Sequence, residues 1–160
     1  LKHSPDVKEN HKLEAVLPEN PVFISADPTQ LKQIFWNLAR NSIQAMPEGG
    51  NLSVNLEELG SERIRIIFID TGRGMSPSQV ERLFEPFSDS TTGGTGLGLS
   101  IVYQIVRDHN GTINVRSIEG NGTTITLEFP TESRNQTSMI EPGEAVAQPS
   151  RLEGFLTVKE

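Results

Sequence analysis

Cysteine is absent from this 160-residue chain, which excludes a disulfide scaffold and any site built on thiolates. Long apolar runs are absent too. The longest purely aliphatic or aromatic stretch is Ile66 to Ile69, far short of the ~20 residues a membrane-spanning helix needs, and the first residues carry no signal-peptide pattern. Positive charge is scarce: 14 Lys and Arg against 21 Asp and Glu leave a net charge of −7. The basic stripe of a nucleic-acid-binding domain is therefore missing, and nucleic acid is excluded as a partner. Any anion the chain holds must be held by local groups, because the overall field repels it. A length of 160 residues suits one domain with a core and is too short for two of ordinary size. A hydrophobic share of 34% with 14 Gly and 10 Pro predicts a loop-rich chain or one with a disordered end.

Residues 1–11 are polar and aperiodic and read as a linker. Lys12 to Leu17 and Val22 to Ala26 are short apolar runs separated by Pro18 and Pro21, a pattern that predicts two strands joined by a turn. Asp27 then predicts a helix N-cap, with Pro28 at the first helical position and Gln30 completing a capping box. Leu31, Ile34, Phe35, Leu38, Ser42, Ala45 and Met46 follow at helical spacing. Asn51 to Leu59 and Arg63 to Asp70 read as strands. In the second, Ile67 and Ile69 fall on one face and Ile64, Ile66 and Phe68 on the other, which predicts a central position. Pro77 to Leu83 predicts a short helix opened by Ser76, and Leu97 to Asp108 a longer one closed by Asn110-Gly111. Thr112 to Ser117 and Thr123 to Phe129 predict a hairpin. The sum is an α+β fold: a two-layer α/β sandwich, with a mixed, mostly antiparallel sheet of about five strands and about three helices on one face. Residues 131–160 read as a polar, disordered tail.

Four motifs occur in one order: NLARNS (Asn37 to Ser42), DTGRG (Asp70 to Gly74), FEPF (Phe84 to Phe87) and GTGLGLS (Gly94 to Ser100). Alone, each has an ordinary reading as a solvated helix face, a turn, a packing anchor or a flexible loop. Together they predict a site that holds a nucleotide by its base, its metal ion and its phosphates. Asn37, Asn41 and Gln44 stand at i, i+4 and i+7 on one polar helix face. Asparagine is a poor helix former, so two of them in mid-helix need a purpose. Asp70 ends a strand, backed by Ile67 and Ile69, and the glycines after it let backbone approach a flat ligand. Gly94 to Gly98 open a helix whose free N–H groups suit phosphate oxygens. A dinucleotide fingerprint fails here because a polar loop, not a strand, precedes the glycines, and a P-loop fails for want of Gly-Lys-Ser/Thr.

Over roughly residues 12–130 this order resembles the ATP-binding catalytic domain of sensor histidine kinases, in the group that also contains gyrase, the Hsp90 chaperones and MutL; nitrogen-regulation-type kinases are the nearest in flavour. The resemblance implies ATP and Mg²⁺ as cofactors. It makes Asn41 the Mg²⁺ ligand, Asp70 the reader of the adenine amine and Thr123 a water-mediated adenine contact. It adds Gln44, Gly72, Gly74, Met75, Phe87, Gly94, Thr95, Gly96, Leu97, Gly98 and Leu99 as nucleotide contacts, with Phe84 and Phe87 also anchoring a lid. Asn37 separates the branches. In gyrase and Hsp90 this position is a Glu that activates water, whereas an amide cannot act as a base. The implied reaction is transfer of the γ-phosphoryl group to a histidine on a separate dimerisation domain, and from there to a response regulator. A gyrase-type ATPase, an anti-sigma-type serine kinase and a nucleotide-binding module remain as alternatives. His3, His11 and His109 lie outside any phosphoacceptor helix, so the acceptor domain is expected upstream; the resemblance also implies a cytoplasmic location, a monomeric fragment and a homodimeric full-length protein.

One departure stands out. Close relatives carry a basic residue in the lid, yet no Lys or Arg lies between Arg82 and Arg107, and Thr91 or Thr92 occupies the expected place. Losing a charged contact to phosphate costs about 1.5–3 kcal/mol unless something replaces it. Arg73 is the candidate replacement.

Overall fold

The computed structural model describes residues 7–87 and 96–131. Five strands, β1 (His11–Val16), β2 (Gly50–Leu59), β3 (Arg63–Asp70), β4 (Thr112–Ser117) and β5 (Thr123–Pro130), form one sheet in the order β1-β2-β3-β5-β4. Three helices accompany it: α1 (Pro28–Gln44), α2 (Pro77–Glu81) and α3 (Gly98–Asp108). The sheet is mixed as expected, and β3 is its central strand. β2, β3, β5 and β4 pair antiparallel; short turns join β2 to β3 and β4 to β5, while α2, α3 and β4 intervene between β3 and β5. β1 pairs parallel with β2, because α1 intervenes as a crossover and brings the chain back in the same direction.

The expected pairing of residues 12–17 with 22–26 does not form. Pro18 and Pro21 withhold two ladder donors, and no strand is assigned between Val22 and Ala26. That stretch keeps a period-two pattern without a partner: Val22, Ile24 and Ala26 pack against the core while Phe23 is exposed.

α1 forms where its caps predict. The Asp27 carboxylate accepts from the N–H groups of Thr29 (2.7 Å) and Gln30 (3.3 Å), which holds its carboxyl below the usual range. The Asp27 half of the capping box is the half that forms. The complete reciprocal box appears at α2, between Ser76 and Gln79. Leu31, Ile34, Phe35, Leu38 and Ile43 form one buried stripe on α1, facing Ile64, Ile66 and Phe68 of β3 and Val102 and Val106 of α3. Phe35 and Phe68 meet with ring centroids 5.3 Å apart.

The opposite side of the sheet is polar, with Arg65 paired to Glu128 at 2.7 Å across β3 and β5. Ile69 lies on this side and is 37% exposed. Strand parity thus corrects one expectation. Asp70 shares its face with Ile64, Ile66 and Phe68, not with Ile67 and Ile69, because side chains alternate with period two. The carboxylate therefore points into the helix-covered layer.

Candidate functional site

Asp70 ends β3 directly opposite Thr123 of β5. It is buried, and its three protein hydrogen bonds divide unevenly between its oxygens. Oδ1 accepts from the backbone N–H groups of Gly72 (2.9 Å) and Thr123 (3.2 Å). Oδ2 accepts only the Ser42 hydroxyl, at 3.1 Å. Burial pushes the carboxyl above its ordinary value, and the bonds from Gly72, Ser42 and Thr123 pull in the other direction. Oδ2 keeps a lone pair for something in the cleft beside it.

The loop after Asp70 is threaded between two walls. Arg73 N–H donates to the Ala45 carbonyl at the end of α1, and Gly120 N–H of the β4–β5 turn donates to the Arg73 carbonyl. Gly72 is required by this close approach: a Cβ there would come within 2.8–2.9 Å of Ala45 Cβ, Ala45 O and Asp70 Oδ1. Gly122 sits at φ +87, where a Cβ would overlap the Asp70 carbonyl oxygen. Gly122→Ala therefore combines left-handed strain with overpacking against the site. It is expected to cost about 2–4 kcal/mol, seen as a fall of the melting temperature on the order of 10 °C. A variant melting with the parent would refute this account of the turn.

Ser117 ties the far wall together. Its hydroxyl donates to Gly122 O (2.9 Å) and accepts from Met75 N–H (2.9 Å). With that proton committed, the 2.9 Å contact to Thr123 Oγ1 has Thr123 donating, which leaves the Thr123 oxygen free to accept. The register also decides between neighbours: Thr123 is buried beside Asp70, while Thr124 pairs with Ile69 on the outer side.

The near wall is α1. Asn37, Asn41 and Gln44 are half-buried and line the same cleft as Asp70 and Thr123, a space of about 190 Å³. Among the described residues, none of these three amides hydrogen-bonds to another protein group. The third wall is the start of α3. Its N-cap residue, Leu97, supplies no side-chain cap, so the first N–H groups of the helix lack intrahelical partners. A Cβ on Gly98 would lie 3.4 Å from Asn37 Oδ1, which places that helix end against the amide face.

Of the residues singled out from sequence, the cleft brings together Asn37, Asn41, Gln44, Asp70, Gly74, Met75, Gly96, Gly98, Leu99 and Thr123. Gly72 acts one step behind, through Asp70. Leu97 and Phe87 stand outside the lining. Phe87 is 66% exposed and takes a left-handed φ of 65° while its N–H donates to Gly96 O at 3.0 Å. Phe84 packs against Tyr103 of α3 with centroids 5.3 Å apart. Gly94, Thr95, Thr91 and Thr92 lie outside the described residues. Sequence reasoning missed Arg40, Gln79 and Leu83 in the lining, the hub at Ser117 and the partner role of Ser42. Ser42 carried a signal, since a hydroxyl on a buried stripe needs a partner. A second groove passes Ile69, Val80 and Ile118 at the end of the sheet beside α2, and it shares Asp70 and Thr123 with the first. None of the three amides reaches it.

An amide-bearing helix, a buried strand-end carboxylate and an uncapped helix start, gathered over one sheet, define a nucleotide-binding α/β sandwich. Residues 26–133 match the family of histidine kinase-, DNA gyrase B- and HSP90-like ATPases, and the chain belongs to it. It is 42% identical over 113 residues to the sensor histidine kinase ZraS of Salmonella typhimurium, a match covering 71% of this chain and 24% of that protein. The chain thus spans about a quarter of the length of that relative. Among solved structures it is similar to the nucleotide-free catalytic domain of histidine kinase ThkA, with TM-score 0.68, 31% identity and coverage of 76% and 79%. It is also similar to full-length ShkA in complex with AMPPNP, with TM-score 0.67, 28% identity and coverage of 76% and 26%. The fold is that of histidine kinase catalytic domains.

Proposed function

We propose that this chain is the catalytic domain of a sensor histidine kinase, which binds Mg-ATP and passes its γ-phosphoryl group to a histidine on a separate dimerisation domain. The observation that carries the reading is the convergence of Asn37, Asn41 and Asp70 on one cleft at the start of α3. The base lies against Asp70 and Thr123, whose acceptors suit the exocyclic amine and a bridging water. The phosphates lie between α1 and the uncapped N–H groups of α3.

Among the described residues, no group of three or more His, Cys, Asp or Glu is placed to hold a metal. A divalent ion must therefore arrive with the nucleotide. The Asn41 amide oxygen suits Mg²⁺, which keeps water and phosphate as its other ligands. When bound, the ion neutralises charge on the phosphates. The chain itself orients the nucleotide and keeps bulk water from the terminal phosphate. Asn37 offers no base, which favours a protein acceptor over water.

The described histidines serve structure rather than transfer. His11 Nδ1 accepts Lys8 N–H and its Nε2 donates to Met46 O. His109 Nδ1 donates to Ile105 O while Nε2 accepts Asp27 N–H. In this reading the acceptor histidine is carried by a separate dimerisation domain. A response regulator downstream, a homodimeric full-length protein and a cytoplasmic location for this domain belong to the same reading; among the described residues no helix is long and apolar enough to cross a membrane.

The test is to incubate the chain with labelled Mg-ATP and a histidine-bearing dimerisation domain from a sensor kinase. Acid-labile, base-stable label on that domain is expected. Acid-stable label would replace the reading with a hydroxyl-directed kinase, and rapid hydrolysis without acceptor would replace it with a gyrase-type ATPase.

A further inference from the structure

We infer that the positive charge facing the polyphosphate comes from Arg40 and Arg73 at the mouth of the cleft rather than from the lid. The inference rests on the ATP reading above and adds the residues that set phosphate affinity. From Leu83 to Val106, the segment that leads into α3 and forms most of it, the chain has no Lys or Arg. A triphosphate still needs neutralisation, and a chain of net charge −7 does not provide it through its overall field. Among the described residues lining the cleft, the charged groups are Arg40, Arg73 and Asp70. Asp70 is engaged by Gly72, Ser42 and Thr123 at the base end. Arg40 and Arg73 are thus the cationic side chains that the described lining offers a polyphosphate.

Their positions follow from the backbone. At about 100° per residue, Arg40, Gln44, Asn37 and Asn41 fall within roughly 100° of arc on α1, with Arg40 at the edge far from Ser42 and Asp70. Asn37, three residues before Arg40 and so one turn away on the same face, meets the start of α3 at Gly98, where phosphate oxygens find free N–H groups. Arg40 flanks that end of the site. Arg73 is pinned from both sides of its backbone, by Ala45 and Gly120, which fixes the point on the cleft rim from which its side chain leaves. Both side chains are exposed, which suits a charge that meets phosphate without first being desolvated. The planar fork of arginine adds bidentate geometry on phosphate oxygens.

The experiment compares the affinity of the full chain for ATP, ADP and adenosine by calorimetry at several salt concentrations, for the parent, Arg40→Gln, Arg73→Gln, the double variant and Arg40→Lys. Each single glutamine variant is expected to weaken ATP by about five- to tenfold, or roughly 1 to 1.4 kcal/mol, with adenosine unchanged within about twofold. The double variant is expected to lose most of the salt dependence, and Arg40→Lys to recover much of the affinity. Equal losses for adenosine would overturn the inference by making the arginines structural. Unchanged ATP affinity in variants of a parent that binds ATP would also overturn it, while leaving the kinase reading intact. A parent that binds no ATP would sink the underlying reading first.

Discussion

Asp70→Asn is expected to abolish ATP binding while leaving the fold intact. Oδ1 is held as an acceptor by the N–H groups of Gly72 and Thr123, so an asparagine must place its oxygen there and its NH₂ at the Oδ2 position. The Ser42 hydroxyl can turn and accept from that NH₂, so the protein loses no hydrogen bond. A ligand amine, however, now meets a donor instead of an acceptor. A site built to hydrogen-bond one group rejects the mismatch strongly, and a loss of at least about 100-fold in affinity is expected from an unpaired buried group. Titration of nucleotide into the variant measures it. Retention of parental ATP affinity would remove Asp70 from the adenine site.

Stability should move the other way. The Asp70 carboxyl is raised above its ordinary value, chiefly by burial. The folded protein therefore holds the proton more tightly than the unfolded chain does. Burying the charged form costs stability above the raised value, and that cost disappears as pH falls through it toward the unfolded value. Asp70→Asn removes the cost at neutral pH, so its melting temperature should equal or exceed the parent's there, with the difference closing in acid. Binding in the parent should fade with acid over the same window, because the acceptor is the ionised form.

The second large effect is expected at Asn41. Its amide is half-buried, lines the cleft and makes no hydrogen bond to the described protein, so truncation removes nothing that supports the fold. Asparagine is also a weaker helix former than alanine, and Asn41→Ala should leave the melting temperature equal or slightly higher. Phosphoryl transfer should nonetheless drop on the order of 10²–10³-fold, the usual consequence of deleting one group aimed at developing charge. Nucleotide binding should fall much less, because base and phosphate contacts persist. Single-turnover transfer at saturating ATP, repeated over a range of Mg²⁺, separates the two. Transfer at the parental rate would take Asn41 out of the site.

Much of this site was readable because its parts obey short-range rules. The face shared by Asn37, Asn41 and Gln44 follows from helical spacing, and the uncapped start of α3 from its glycines. The end of β3 at Asp70 follows from the run of Ile64 to Ile69. Even the side to which Asp70 points was available from parity, and the expectation that Ile67 and Ile69 back it misapplied that rule. The pairing of β1 was harder. Four prolines and a helix separate it from β2, and only the crossover decides that the strands run parallel. Ser117 could not have been found, since its role depends on three partners that meet only when the β4–β5 turn closes over the Asp70 loop.

The amino-acid order by itself determined the helices and strands that form, though not the absence of one at residues 22–26, together with the Asp27 cap, the glycine positions and the chemical inventory of amide, carboxylate and free N–H groups. Those depend on interactions within a few residues. The tertiary structure alone decided that Thr123 rather than Thr124 faces the cleft, that Ser42 holds Asp70, and that Arg40 and Arg73 stand at the same mouth. Each of these rests on register between segments 28–53 residues apart, and a one-residue slip in a strand reverses every side chain on it.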